Sequence, residues 1–485
     1  MRHIIFPKLL FFTLTSITCS LASEITYRKV ADTDDALPIV EGPWAGFYSP
    51  AISDGKVAFL AYQPAFSPLS LFAEFDGKLV HVASNGSSIP EDGRTISIGS
   101  SSRSTLVYHK NKIYLEVHLS SDQGSNLGVV EYSSNGLRVA FDEATVNAHA
   151  GTSLSWFSFH DLSIGPDDKV VRALSGPQIE SSSSSLWLIG FDGLSLTTIN
   201  EGTSLPPSTT PFTPEYAIYE EGFATNHVNG DVQFRRNHLG HLQTLDSGLA
   251  ELISPDVPVF TDQIYGNGRW FAIQERLRTP GTNNNLTALI GWSAGKWFEI
   301  VREGDSTQDG TVITALSDIE SPRYSIDGNS LLFRANTVDG RALFLFRNGE
   351  VRRLIGRGDS IEGQEVAGAF IDRNSLEGNK FSFVARLTGG KEAVYVGDVS
   401  ALYPAPTSNL QAQITLTGAH TGQITANSTI KNRVYHLLQS DDLEQRIVVD
   451  SIQGSNSTTQ TFNFDNSTEA PKQKFYWVEE ANYAP

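Results

Sequence analysis

Ser49-Pro-Ala-Ile-Ser-Asp-Gly-Lys-Val-Ala-Phe-Leu-Ala61 is the stretch on which the fold turns. The turn dipeptide Asp54-Gly55 runs straight into an apolar strand, the pattern of a tight β-hairpin. Working outward, a second strand follows at Leu71–Phe75, then the turn Asp76-Gly77, then a third strand at Leu79–Ala83 and a polar loop at Asn85–Gly93. Far downstream, Ser321-Pro-Arg-Tyr-Ser-Ile-Asp-Gly-Asn-Ser-Leu-Leu-Phe333 repeats the opening closely and is followed by its own strand, Ala342–Phe346, and turn, Asn348-Gly349.

Between and beyond these two copies the same grammar recurs. Further units start at His109–Leu115, Pro166–Val171, Asn267–Ala272 and Glu377–Val384. A worn copy lies at Glu221–Thr225, Asp231–Phe234 and Leu249–Ile253. Seven units spaced roughly 45 to 60 residues apart fall in the range of propeller blades. A single meander cannot bury both its faces, whereas a ring of meanders stacks into a continuous core. Most units also end in a related segment, as at Val82–Gly93, Ile300–Gly310 and Leu354–Gly363. The last unit lacks one, and the missing copy stands at the other end of the chain, Tyr27–Pro38. A strand from the N-terminal region is therefore expected to complete the last blade and to remove an exposed sheet edge.

These repeats resemble a family of bacterial exported repeat proteins whose units carry an Asn/Asp-x-x-Gly-x-x-Ala-Phe core. The residues that carry the likeness are Ser53-Asp-Gly-Lys-Val-Ala-Phe59 and Ile326-Asp-Gly-Asn-Ser-Leu-Leu-Phe333, with Arg302-Glu-Gly-Asp305 and Gly356-Arg-Gly-Asp359 matching the family's linker. Asp54 abuts its glycine and Leu332 replaces the alanine, and the second and fourth units depart further. Ser321-Pro-Arg-Tyr-Ser-Ile-Asp-Gly328 is also similar, more distantly, to the propeller of the bacterial Tol envelope system. Both resemblances imply architecture and neither supplies a catalytic residue.

The remaining segments organise around this body. Arg2, His3 and Lys8, the apolar run Leu9–Leu14 and the small residues Ser20 and Ala22 follow the order of a secretory signal peptide over 1–22. The propeller is expected over 23–402. The prolines of 403–409 mark a linker, and six short alternating segments over 410–485 suggest a small β-sandwich. Tyr435-His-Leu-Leu-Gln-Ser-Asp-Asp-Leu443 and Phe475-Tyr476 resemble a C-terminal module common on exported bacterial proteins, although the usual aromatic is missing near Arg446. The expected fold is thus all-β: a seven-bladed propeller closed by an N-terminal strand, followed by a small β-sandwich.

Charge and composition narrow the function classes. A net charge of −18 opposes binding to nucleic acid or anionic lipid, both of which need basic patches. The one cysteine, Cys19, lies inside the signal segment, so disulfides and thiol metal sites drop out. No later apolar run is long enough for a membrane span.

Candidate sites are few, and each has a plainer reading. His238-Leu-Gly-His241 offers two imidazoles without an evident third ligand. Asp32, Asp34 and Asp35 offer oxygens that could suit Ca²⁺ but lack the EF-hand spacing, so a solvated turn is preferred; Glu303, Asp305 and Asp309 are read alike. Arg357-Gly-Asp359 spells an adhesion tripeptide inside the repeat's own linker. No hydrolase elbow, P-loop or dinucleotide fingerprint occurs. Trp187, Trp270, Trp292 and Trp297 are expected in the core, whereas Trp156, Tyr265 and Trp477 could line a groove. No catalytic or cofactor residue is assigned. The leading expectation is an exported, monomeric, non-catalytic propeller that binds a protein or glycan through its central face. The alternatives are a carbohydrate-active enzyme with acidic residues at the propeller centre, and an adhesive or structural surface protein.

Overall fold

The computed structural model describes residues 25–35, 37–38, 44–64, 69–99, 106–122, 124–150, 162–164, 169–177, 184–205, 216–219, 222–226, 232–236, 243–244, 249–268, 270–282, 285–293, 296–316, 324–403, 411–416, 421–427, 434–440, 447–453, 459–465 and 475–480. The expected signal segment and His238 and His241 lie outside the described residues.

The hairpins that opened the sequence reading form as expected, for a local reason. Asp54 and Gly55 have φ of 51° and 72°, Asp76 and Gly77 48° and 74°, and Asn348 and Gly349 54° and 74°. Two consecutive left-handed residues make the turn whose twist matches that of the flanking strands, and Asp-Gly and Asn-Gly tolerate it best. Each such turn hands the chain to the next strand of an antiparallel meander. The first unit runs Gly46–Ser53, Lys56–Tyr62, Leu69–Phe75 and Lys78–Ser84 in spatial order.

Six sheets of this kind form the blades of a β-propeller. Seven separate sheets were expected, and the difference lies at the worn copy. Its innermost strand, Tyr216–Tyr219, pairs in parallel with the innermost strand of the following unit, Val257–Gly268, at Ile218↔Asn267 and Tyr219↔Gly268. That bridge merges the fourth and fifth units into one eight-stranded sheet. Within the worn unit, Leu249–Ile253 is a short helix and not the expected strand. Leu-Ala-Glu-Leu-Ile consists mostly of good helix formers, and Leu249 and Ile253, one turn apart, are both buried.

The core lies between consecutive sheets. Along Lys56–Tyr62, Ala58 and Leu60 pack with the second unit, around Leu106, Ile113 and Leu115. Val57, Phe59 and Ala61 pack the other way, against Val384, Val394 and Val396 of the seventh unit. Period-two alternation thus gives each strand two apolar faces, one for each neighbour.

The N-terminal strand closes the ring. Thr26–Asp32 pairs antiparallel with Glu392–Asp398 as the outermost strand of the last sheet, from Thr26↔Asp398 to Asp32↔Ala393. Its register slips by one residue at Val30, and the outer strands of other units carry the same bulge at Val82, Ala140, Ile300 and Leu354. The displaced segment has therefore kept its place in the repeat.

Beyond the propeller, Gln411–Leu416, Thr421–Asn427 and Thr459–Asp465 form one three-stranded antiparallel sheet. Ile447–Gln453, Val434–Ser440 and Phe475–Glu480 form another. Ile424 and Phe462 of the first sheet and Leu437 of the second are buried. Among the described residues no helix is long and apolar enough to cross a membrane.

Candidate functional site

The acidic candidates are best understood from the turn that follows each bulged outer strand. Asp35 accepts the backbone N–H of Asp32 on its carboxylate, while its own N–H donates to the Asp32 carbonyl. Ser87 with Ser84, Asp305 with Arg302 and Asp359 with Gly356 repeat that reciprocal pair. In all four the next residue, Thr33, Asn85, Glu303 or Arg357, ties the turn to the neighbouring strand through its N–H. Asp359, the acid of the adhesion tripeptide, is also paired with Arg353 at 2.8 Å.

Asp32 itself is buried. The ammonium groups of Lys29 and Lys391 lie 2.9 and 3.0 Å from its carboxylate, and Lys391 also holds Asp34 at 2.9 Å. Burial opposes its charge, but the two lysines and the Asp34 N–H outweigh that and hold Asp32 below the usual carboxylate range. Among the described residues no three His, Cys, Asp or Glu side chains gather as a metal ion would require.

At the propeller axis, the innermost strand of the last unit breaks between Phe370 and Leu376. The intervening Asp372–Ser375 segment reaches across to the other units. Asn374 donates from its side chain to the carbonyls of Leu106 at 2.8 Å and Leu162 at 3.5 Å, and accepts the Ile52 N–H at 2.9 Å. Ser375 donates to the Pro50 carbonyl, the Leu376 N–H donates to Ser325, and the Arg373 guanidinium sits 5.4 Å from the Tyr265 ring centre. One short segment therefore touches the first, second, third, fifth and sixth units and lies across the axis. Tyr265, a candidate for a groove, is buried beneath it against Tyr324. Trp270 and Trp292 are buried and Trp297 half-buried, as expected of core residues. Trp156 lies outside the described residues, as do the side chains of Trp187 and Trp477.

The two sides of this crossing differ. On the hairpin side, neighbouring turns are knitted together. The Gly55 N–H donates to Glu377, Lys110 N–H to Ser53, Gly378 N–H to Asp327 and the Trp270 indole to the Gly328 carbonyl. Burial, with Asp54 and Asp327 close by, pushes the Glu377 carboxyl above its ordinary range.

On the opposite side, partly exposed aromatic and guanidinium groups gather at the ends of the inner strands of the first and last sheets, Tyr48 and Tyr62 on the face toward the second unit and Phe370 on the face between the first and last. Tyr48 and Tyr62 stack with ring centres 4.6 Å apart and planes 10° from parallel. Their counterparts in the last unit, by pairing register with Leu60 and Val384, are Phe370 and Arg386. The Arg386 guanidinium lies 5.1 Å from the Phe370 ring centre, and Arg334 of the sixth unit lies 5.3 Å from the same ring. Glu392 anchors the group from below: it accepts two bonds from Arg386, at 3.1 and 2.9 Å, and one from the Phe47 N–H at 3.0 Å.

Gly46 permits that packing, because a Cβ there would collide with Glu392 and come within 2.6 Å of the Tyr62 hydroxyl. Burial, then the Glu392 charge, and then the neighbouring Tyr48 push the Tyr62 phenol up. Arg386 keeps its side chain 53% exposed, Tyr48, Tyr62 and Phe370 are half-buried, and Arg334 is buried. Sequence reading missed this cluster, since its members lie at opposite ends of the propeller and meet only when the ring closes. The available signal was a register comparison: Arg334 stands where other units carry Leu60, Glu116 and Val384.

Known proteins resemble the chain in fold alone. No family model matches it, and no curated protein matches it. Among solved structures, a prolyl endopeptidase is 12% identical with a TM-score of 0.42, over 79% of this chain and 54% of that one. Pyrococcus horikoshii acylaminoacyl peptidase is 11% identical with a TM-score of 0.40, over 80% and 58%. The β-propeller domain of the Trilobed protease from Pyrococcus furiosus is 11% identical with a TM-score of 0.34, over 65% of this chain and 100% of that domain. The chain spans little more than half the length of the two peptidases.

Proposed function

We propose that this is an exported propeller that holds a ligand on its central face, at the seam between the first and last units. The observation that carries the reading is the half-exposed cluster of Tyr48, Tyr62, Phe370 and Arg386 around the buried Glu392. Rings that offer an apolar face beside polar donors are the usual furniture of a binding surface. The Asp372–Ser375 crossing bonds inner strands of several units together, and the ligand is accordingly read as lying on the face of the propeller and not in a deep channel.

Finer points belong to the same proposal. Residues 1–22 act as a signal peptide that delivers the protein to the periplasm, cell surface or exterior. The eight-stranded sheet behaves as two blades, since each half is its own antiparallel meander and, among the described residues, two parallel pairs join them. Seven units then ring the axis, the two C-terminal sheets face one another as a sandwich, and the protein is a monomer. The repeats and the C-terminal piece are read as members of the exported repeat and module families they resemble.

The test is a glycan and peptide array probed with the mature protein beside a Phe370→Ala, Tyr62→Ala variant. Ligands that the variant loses support the reading. Equal binding by both proteins, or silence across the array, overturns it. Release of shortened products from any bound glycan would replace binding with catalysis.

A further inference from the structure

The seam cluster also says what kind of ligand fits. Arg334 and Arg386 come from different sheets yet lie against the same Phe370 ring, at 5.3 and 5.1 Å. Arg386 holds Glu392 through Nε and Nη2, which orients its fork and leaves Nη1 directed away from that pair on a side chain 53% exposed. An oriented, partly exposed guanidinium is the side chain best shaped for a carboxylate, which it meets in a plane with parallel N–H donors. Near it stands the stacked Tyr48–Tyr62 pair, half-buried against the core shared by the first and second units, with Tyr62 close to both Glu392 and Arg386. Flat apolar faces, ring hydroxyls and a carboxylate occur together in uronic acid residues.

We propose that the seam binds an oligosaccharide containing uronic acid. Arg386 meets the carboxylate, Arg334 adds positive charge behind Phe370, and Tyr48 and Tyr62 support a sugar ring. This rests on the reading of the central face as a ligand site. The setting sharpens it, because a chain of charge −18 repels polyanions at long range. Retention of an acidic glycan then depends on the local guanidinium geometry and not on the general field.

Titration of the mature protein with a short oligogalacturonate and with its methyl ester tests the idea, since esterification removes the carboxylate charge at the cost of one added methyl group. The acid should bind at least tenfold more tightly. Arg386→Gln should bring acid and ester to parity, Arg386→Lys should recover part of the difference, and Tyr48→Ala should weaken both forms. Arg386 is exposed, so its variants should keep the wild-type circular dichroism; this keeps the comparison readable even where an Arg334→Gln variant fails to fold. Equal affinity for acid and ester overturns the uronate proposal and leaves the central face as a site for neutral ligands. Binding only to peptides ending in a free carboxylate overturns the sugar assignment. Silence toward acid, ester and peptides overturns both readings.

Discussion

The turns that close the outer strands and the seam near the axis each recur at a fixed register in the repeat, yet they behave differently. The turn position is held by Asp35, Ser87, Asp305 and Asp359, and every one makes the same pair of bonds with the residue three before it. The seam registers change chemistry between units: Tyr48 and Tyr62 in the first become Phe370 and Arg386 in the last. A register that keeps one interaction in unit after unit answers a demand of the ring itself. A register that changes while its backbone stays the same has been released from that demand, and the seam is where such changes meet.

The largest effect should come from breaking the ring. Removing the chain through Asp32 strips the last sheet of its outer strand and exposes Tyr395 and Val396, both buried in the intact protein. Loss of the cooperative transition, or a melting temperature lower by well over 10 °C, is expected in calorimetry, since burying one large apolar side chain contributes about 1.5–3 kcal/mol. Next comes the axis. Asn374→Ala strands the Leu106 and Leu162 carbonyls and should cost about 1–3 kcal/mol in urea denaturation. An unchanged midpoint would mean that water replaces the side chain and that the axis is open there.

The repeated turn should come third. Asp305→Ala leaves the Arg302 N–H without its carboxylate and should cost about 0.5–2 kcal/mol, the usual penalty for losing a side-chain cap on a backbone donor. Ser87→Ala should cost less, because a neutral acceptor holds its N–H more weakly than a carboxylate does. Seam variants should shift the weight toward binding: Arg386→Gln should alter ligand binding strongly, with a midpoint loss smaller than that of Asp305→Ala because the Gln amide can still donate to Glu392. If Arg386→Gln destabilises as much as Asp305→Ala, the contrast between turn and seam collapses.

Much of this architecture could be read from neighbouring residues. Asp54-Gly55 and Asn348-Gly349 state their turns locally, because few other dipeptides accept two left-handed residues in succession. The ring closure was legible from Tyr27–Asp35, whose order of strand, bulge and acidic turn survives its displacement to the far end of the chain. What escaped sequence reading depends on contacts between distant units. The parallel bridge between Tyr219 and Gly268 follows from where two innermost strands meet, and no local pattern announces it. Asn374 crosses the axis from a segment that reads as an ordinary polar turn. Tyr265, which could have faced a groove, is buried with the Arg373 guanidinium of that segment against its ring. The seam cluster could have been suspected only by aligning units and asking where an apolar register turns into arginine.

Acid and base should act on opposite sides of the molecule. Asp32 at the N-terminal latch and Asp142, which caps the Glu143–Ala150 helix through Thr145 and pairs with Arg94, resist burial through those partners and titrate below the usual range. A depressed carboxylate contributes stability that is complete above the unfolded value of about 4 and is lost as pH falls through the folded value. Asp32→Asn should therefore flatten the acid limb of a stability–pH curve. Glu377 has the reverse sign: its raised value means stability present below about pH 4 and lost as pH rises through the folded value, leaving a small penalty at neutrality. Glu377→Gln keeps an acceptor for the Gly55 N–H and removes the charge beside Asp54 and Asp327. It should raise the midpoint slightly at pH 7 and leave it unchanged at pH 4, the smallest effect here. A loss at both values would place Glu377 with the repeated turn acids, as a group the ring needs charged.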